Sequence, residues 1–126
     1  MNRRIMFRHM DHSDAIEQYA IKQLKKIEHF LENEPTPCNI DLVLEPSGAR
    51  EHPRIELRVK APHYDLVTHY EEDGKDFYDV LDHVVDLMYR LLREEKQKYV
   101  DARKKAGKQE RAFQIDEEDE FFDDEE

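Results

Sequence analysis

Apolar residues occupy every second position in residues 39–45 and again in residues 54–61, which is the period of a strand with one buried face. The segment Pro46-Ser47-Gly48 predicts a turn between these two strands. Pro62-His63 predicts a second, tighter turn into a third strand at residues 65–71. The pattern therefore predicts an antiparallel meander of three strands.

Two other segments show the three- and four-residue apolar spacing of amphipathic helices. The first follows a short strand at residues 4–8 and begins at Ser13, a favourable N-cap residue. Its apolar stripe consists of Ala15, Ile16, Tyr19, Ala20, Leu24, Ile27 and Leu31. The second begins at Asp76, and its stripe consists of Phe77, Val80, Leu81, Val84, Leu87, Met88, Leu91 and Leu92.

These elements predict an α+β fold of order β-α-β-β-β-α, with two helices packed on one face of a four-stranded mixed sheet. We expect one domain over residues 1–106, because the chain of 126 residues is too short for two cores. The second helix is expected to fray near Gly107. Residues 107–126 are expected to form a disordered acidic tail.

Charge is distributed unevenly along the chain. The net charge is −11, from 20 basic and 31 acidic residues. Residues 1–89 contain 11 basic and 18 acidic residues, residues 90–111 contain 9 and 4, and residues 112–126 contain 0 and 9. A basic helical segment followed by an acidic one suggests a polyanion-binding surface with an electrostatic competitor in the same chain.

Candidate nucleic-acid contacts lie on both helices. The first helix carries a basic stripe opposite its apolar one, formed by Lys22, Lys25, Lys26 and His29. The second helix contributes Arg90, Arg93, Lys96, Lys98, Arg103 and Lys104, with Tyr89 among them as a ring on which a base could stack. A merely solvated face is the alternative for the first helix. Two basic edges on one side of the sheet favour phosphate binding.

Other chemistries have weaker support. The single cysteine, Cys38, excludes an intrachain disulfide and a cysteine-based metal cluster. His9 and His12 are three residues apart but have no obvious third ligand, so neither a metal site nor a cofactor is expected. A metal-dependent hydrolase using Asp79, Asp82 and Asp86 is an alternative, although a solvated acidic helix face is the favoured explanation for them. No apolar run is long enough to cross a membrane, and we expect a cytoplasmic bacterial protein.

The acidic end of the chain combines carboxylates with Phe113, Ile115, Phe121 and Phe122. It could serve only for solubility. Alternatively, it could act as an intramolecular RNA mimic that loosely covers the basic edge, since tethering gives such a segment an effective concentration in the millimolar range.

The stretch Glu72-Asp73-Gly74-Lys75-Asp76-Phe77-Tyr78-Asp79-Val80-Leu81-Asp82 leads into a basic helix end. Together with the order of elements and with the first helix at residues 13–31, it resembles the bacterial ribosome hibernation factors. This family comprises the short hibernation-promoting factor and protein Y, once labelled sigma-54 modulation proteins. The resemblance covers about residues 3–105.

The resemblance implies a non-catalytic protein that binds the small ribosomal subunit through 16S rRNA. It would occupy the channel for mRNA and tRNA, block translation under stress or in stationary phase, use no small-molecule substrate, and be a monomer off the ribosome. The family's basic contacts map onto Lys22, Lys25, Lys26, Arg90, Arg93, Lys96 and Lys98. A binding module for another structured, double-stranded RNA is the alternative, because the order of elements resembles the double-stranded RNA-binding fold.

Overall fold

The computed structural model describes residues 1–48 and 52–110, with only the backbone described for residues 107–110. Its elements follow the predicted order: β1 Asn2–Phe7, α1 Asp14–Phe30, β2 Asn39–Ser47, β3 His52–Ala61, β4 Tyr64–Glu71 and α2 Phe77–Glu110. The chain divides into two units, Met1–Leu92 and Arg93–Glu126, and α2 spans the boundary between them. The expected acidic tail beyond residue 110 lies outside the described residues.

The four strands form one mixed sheet in the order β1-β2-β3-β4. Strand β1 pairs with β2 in parallel, while the β2–β3 and β3–β4 pairs are antiparallel. A parallel pair requires a crossover connection, and α1 supplies it between β1 and β2. Leu42 lies opposite Ile5 on one side and Leu57 on the other, which sets the register of the buried face. The predicted meander and mixed sheet are confirmed.

The core of the first unit lies between one face of the sheet and both helices. Ile40, Leu42 and Leu44 of β2 are fully buried, as are Ile55, Leu57 and Val59 of β3. The helices contribute Ala20, Leu24, Ile27, Val80, Leu81, Val84, Val85, Met88 and Leu92. Ala15, which the periodicity placed on the apolar stripe, is exposed because at about 100° per residue it falls on the side of α1 opposite the buried Ala20, Leu24 and Ile27.

Both helices begin at the predicted capping residues. The Ser13 hydroxyl accepts a hydrogen bond from the Ile16 amide at 3.2 Å, which satisfies one of the free amides of the first turn. The Asp76 carboxylate likewise accepts from the Asp79 amide at 2.9 Å. At the other end, α2 continues through Gly107 to Glu110, the last residue that the structure describes.

Within the first unit, the two helices run side by side in the same direction. The Tyr19 hydroxyl donates a hydrogen bond to Asp82 at 2.8 Å, and seven residues further along α1 the Lys26 ammonium donates to Asp86 at 3.1 Å. The rings of Phe30 and Tyr89 then meet edge to face at 6.0 Å. Positions that advance along α1 therefore contact positions that advance along α2.

The second face of the sheet, opposite the helices, carries mainly polar side chains. Ion pairs link neighbouring strands there: Arg4 to Asp41 at 3.3 Å, Arg58 to Asp65 at 2.9 Å, and Arg54 to Glu45 at 3.8 Å. We call this the open face. Among the described residues, no helix is long and apolar enough to span a membrane.

Leu24 and Lys25 are neighbours in α1, but the first is buried and the second is exposed, so they provide a matched pair of substitutions. Leu24→Ala should lower the free energy of unfolding by about 2–5 kcal/mol, because it removes a fully buried side chain from the core. Lys25→Ala, one residue along, should change it by less than about 0.5 kcal/mol because that side chain is exposed. Urea denaturation measures both values. Equal losses for the two variants would show that the helix is rotated from the orientation described.

Candidate nucleic-acid interface

The basic stripe of α1 lies on the side of the helix that faces away from the core. At about 100° per residue, Lys22, Lys25, Lys26 and His29 fall within an arc of about 100°. The centre of this arc is roughly opposite the buried residues Ala20, Leu24 and Ile27. All four basic side chains are exposed. The predicted stripe is therefore a continuous solvent-facing strip, fixed in orientation by the packing on its reverse side.

Lys26 differs from the other residues of this stripe because it also contacts α2. Its ammonium lies 3.1 Å from an Asp86 oxygen and 5.0 Å from the centre of the Tyr89 ring. The first distance is that of an ion pair, and the second is within the range of a cation–π interaction. Asp86 is 60 residues away in sequence, and the periodicity of either helix gives no sign of the pairing. A phosphate that binds Lys26 has to compete with Asp86.

On both helices, acidic residues come first along the chain and basic residues follow. Helix α1 has Asp14 and Glu17 in its first turn and basic residues in its second half. The exposed stripe of α2 carries Asp79, Asp82 and Asp86 before Arg90. Because the two helices run in the same direction within the first unit, Arg90 lies at the same end of the helix pair as the basic half of α1. Each order also suits the helix dipole, which favours acids at the start and bases at the end.

Tyr89 lies at the basic end of the helix pair and is half-buried. Its ring and that of Phe30 are in T-shaped contact, and the Lys26 ammonium lies over the Tyr89 ring. Phe30 also meets Tyr64 edge to face at 5.9 Å and packs against the core. A nucleobase stacked on Tyr89 would have to displace Lys26 or use the opposite side of the ring.

Tyr19 holds the acidic end of the pair together. Its hydroxyl donates to Asp82, and this hydrogen bond raises the pKa of Tyr19 above its ordinary value. Its ring also meets Tyr78 edge to face at 5.1 Å. The phenol therefore remains protonated and serves as a structural donor rather than a nucleophile.

The basic residues of the second unit lie on two sides of α2. By helical spacing, Arg93, Lys96, Arg103 and Lys104 share an arc of about 100°, whereas Lys98 lies at least about 120° away from each of them. The Lys98 ammonium is 3.4 Å from Glu95. Arg103 lies over the ring of the exposed Tyr99 at 5.7 Å. Lys98 therefore does not share the surface of the other predicted contacts in this segment.

The acidic residues considered for hydrolysis line a cavity of about 290 Å³ together with Tyr70, Glu72, Lys75 and His83. Asp82 is engaged by Tyr19 and Asp86 by Lys26, while the His83 ring stacks on Tyr70 at 3.7 Å. Among the described residues, Asp79, Asp82 and Asp86 do not converge closely enough to share one metal ion. The arrangement is that of a charged surface with internal pairs.

A closer convergence of ligand types occurs at the start of α1. The His12 Nε2 atom lies 3.0 Å from Asp14 and 2.9 Å from Glu17. Sequence reasoning examined His9 and His12 as a pair and missed these two carboxylates. The three groups could hold a cation, but His12 and Asp14 are exposed and the pairs already explain the geometry.

Comparison with known proteins gives a family and a fold. Residues 4–100 match the model of the family described as sigma 54 modulation protein / S30EA ribosomal protein. The protein Y N-terminal domain of Thermus thermophilus superposes with a TM-score of 0.60 at 24% identity, covering 75% of this chain and 98% of that one. A ribosomal subunit interface protein from Coxiella burnetii also gives 0.60, at 20% identity, covering 77% and 99%.

The comparison with curated proteins gives no match. At these identities, the two solved structures establish a common fold. The family match is the stronger finding, because it spans all of α1, the sheet apart from the first two residues of β1, and the greater part of α2. It also includes nine of the eleven predicted contacts, from Lys22 to Lys98. The chain therefore belongs to the sigma 54 modulation protein / S30EA ribosomal protein family.

Proposed function

We propose that this protein is a ribosome hibernation factor that binds the small ribosomal subunit through 16S rRNA. In this proposal it occupies the channel for mRNA and tRNA and blocks translation without turnover, acting in the cytoplasm of a bacterium under stress or in stationary phase. The chain belongs to a family whose description includes a ribosomal protein, and this membership supports a ribosomal partner. The channel and the inhibition come from the resemblance described above.

One observation carries the proposal: within the first unit, the basic half of α1 lies at the same end of the helix pair as Arg90 of α2. Lys26 of α1 contacts Asp86, and Arg90 lies one turn further along α2 on the same stripe. Lys22, Lys25 and His29 extend the exposed basic surface along α1. This surface can approach RNA while the rest of an anionic molecule is kept away from it.

Phosphate binding by this surface would release condensed cations from the RNA, so affinity should depend steeply on salt. If about six phosphates are contacted, a fourfold increase in salt should lower affinity on the order of a thousandfold. Such phosphate contacts fix the position and orientation of a protein on a nucleic acid, and they involve no catalytic step. They are sufficient for a factor that acts by occupying space.

Reversing two charges on the exposed strip tests the proposal. The double variant Lys22→Glu with Lys25→Glu should bind isolated small subunits at least about a hundredfold more weakly, because two phosphate contacts become repulsions. Thermal stability should be nearly unchanged, since both side chains are exposed. Sedimentation of the protein with purified subunits measures binding, and a translation assay in the same salt measures inhibition.

The matched control is Lys60→Glu with Lys75→Glu, which alters net charge equally at exposed positions away from the strip. This control should retain most of the affinity. Equal losses in both double variants would assign binding to net charge alone. Comigration of the wild type with a free RNA duplex, but not with the small subunit, would favour the alternative of another structured RNA.

Asp86 is expected to restrain binding. Asp86→Asn should raise affinity for the subunit by about two- to fivefold at low salt, because it frees Lys26 from a surface ion pair of ordinary strength. Asp79→Asn removes the same charge about 10 Å further back along the helix and should have a smaller effect. A fluorescence anisotropy titration can compare them. Equal gains would remove the role assigned to the Lys26–Asp86 contact.

A further inference from the structure

A second basic site lies on the open face of the sheet, away from the helices. It is a cavity of about 470 Å³ at the start of β1 and β2 and the end of β3. The lining residues are Asn2, Arg3, Arg4, Asn39, Asp41, Arg58 and Lys60. We call this cavity the notch. Its volume is within the range of sites that hold small ligands.

Four of the seven lining residues are cationic and one is anionic. Arg3 lies in register with the buried Ile40 and pairs with Glu28 of α1 at 2.9 Å, so its side chain is on the helix side of the sheet. On the open face, Arg4 pairs with Asp41 at 3.3 Å and Arg58 with Asp65 at 2.9 Å. These pairs hold the guanidinium groups in place but leave donors unused, because each guanidinium has five N–H groups. Solvent-exposed pairs of this kind are weak, so an incoming dianion can compete with the carboxylates.

Lys60 completes the set. It is exposed, lies opposite Asn39 in the sheet register, and forms no ion pair within the described part of the chain. Asn2 donates to the side-chain oxygen of Asn39 at 3.0 Å, which ties the two amides together at the same end of the sheet. Arginine forks, an ammonium and amide groups are the donors that bind phosphate oxygens in proteins.

The surroundings of the notch select for a short anion. Across the rest of the open face, the strands carry Glu45, Glu56 and Glu71, and their one further arginine or lysine is Arg54. Arg54 is itself held between Glu45 and Glu71. An extended RNA strand that entered the notch and crossed the sheet would pass over these carboxylates. A compact ligand would meet only the basic end.

We infer that the notch binds a compact ligand containing a diphosphate group, such as inorganic pyrophosphate or a nucleoside diphosphate. Three cations on the open face, around a cavity larger than one phosphate, suit two linked phosphates better than one. The site is distinct from the RNA-binding strip of α1, because Arg4, Arg58 and Lys60 lie on the face of the sheet opposite the helices.

NMR titrations at low salt with pyrophosphate, ADP and adenosine test this inference. Pyrophosphate and ADP should shift the amide signals of Asn2, Arg4, Asn39 and Lys60, whereas adenosine should not. Shifts with both phosphate compounds would assign recognition to the diphosphate itself. Shifts with ADP alone would add a contact to the nucleoside and still support the site.

The variant Arg58→Gln with Lys60→Gln should lower affinity for whichever ligand binds by at least about tenfold. The matched control, Arg54→Gln with Lys75→Gln, removes the same two charges outside the notch and should change it less than about twofold. Lys60→Gln alone breaks no ion pair and provides a further variant if the double one unfolds. The Lys22→Glu, Lys25→Glu protein should still bind the ligand, so failure of the RNA proposal and of this one are distinguishable.

Three results would overturn the inference. The first is the absence of shifts at the notch with both pyrophosphate and ADP. The second is equal affinity in the notch variants and in the control. The third is saturation of the notch signals by a single-stranded RNA oligonucleotide under conditions where neither compact ligand binds, which would make the notch part of an RNA surface instead.

Discussion

The apolar layer between the sheet and the two helices is the constraint on which the rest of the molecule depends. It buries Leu24 and Ile27 on one side of α1 and thereby turns the basic stripe of the same helix outward. It also places α2 beside α1, so that Tyr19 reaches Asp82 and Lys26 reaches Asp86. The positions of the charges are thus consequences of which apolar residues are buried.

The parallel direction of the helices explains how an acidic protein can present a basic end. If the helices were antiparallel, the acidic residues in the first half of α2 would lie beside the lysines in the second half of α1. In the observed arrangement Arg90 of α2 lies at the same end of the helix pair as the lysines of α1, and Lys26 contacts Asp86. A net charge of −11 therefore coexists with a local surface rich in cations.

Local patterns allowed most of the fold to be predicted. The period of two in β2 and β3 and the caps at Ser13 and Asp76 depend on residues close in sequence, and the structure agrees with each. Gly107, where α2 was expected to fray, lies within the helix, because one glycine only weakens a helix.

The site was less predictable, for physical reasons. The pairing of Lys26 with Asp86 depends on how two helices pack across 60 residues of chain, which neither helix encodes alone. The notch depends on strand register, which brings Arg4, Asp41 and Arg58 into one row across three strands. Lys98 could have been excluded from the sequence. Its angular position around the helix separates it from Lys96 and Arg103, whereas the prediction grouped these residues only because all are basic.

The most direct measurement is a cryo-electron microscopy structure of this protein bound to the small ribosomal subunit. The account predicts that the exposed strip of α1, from Lys22 to His29, and Arg90 of α2 face rRNA phosphates within hydrogen-bonding distance. It also predicts that Glu56 at the centre of the open face makes no rRNA contact. A complex in which the open face lies against the RNA while Lys22 and Lys25 point into solvent would contradict the central claim.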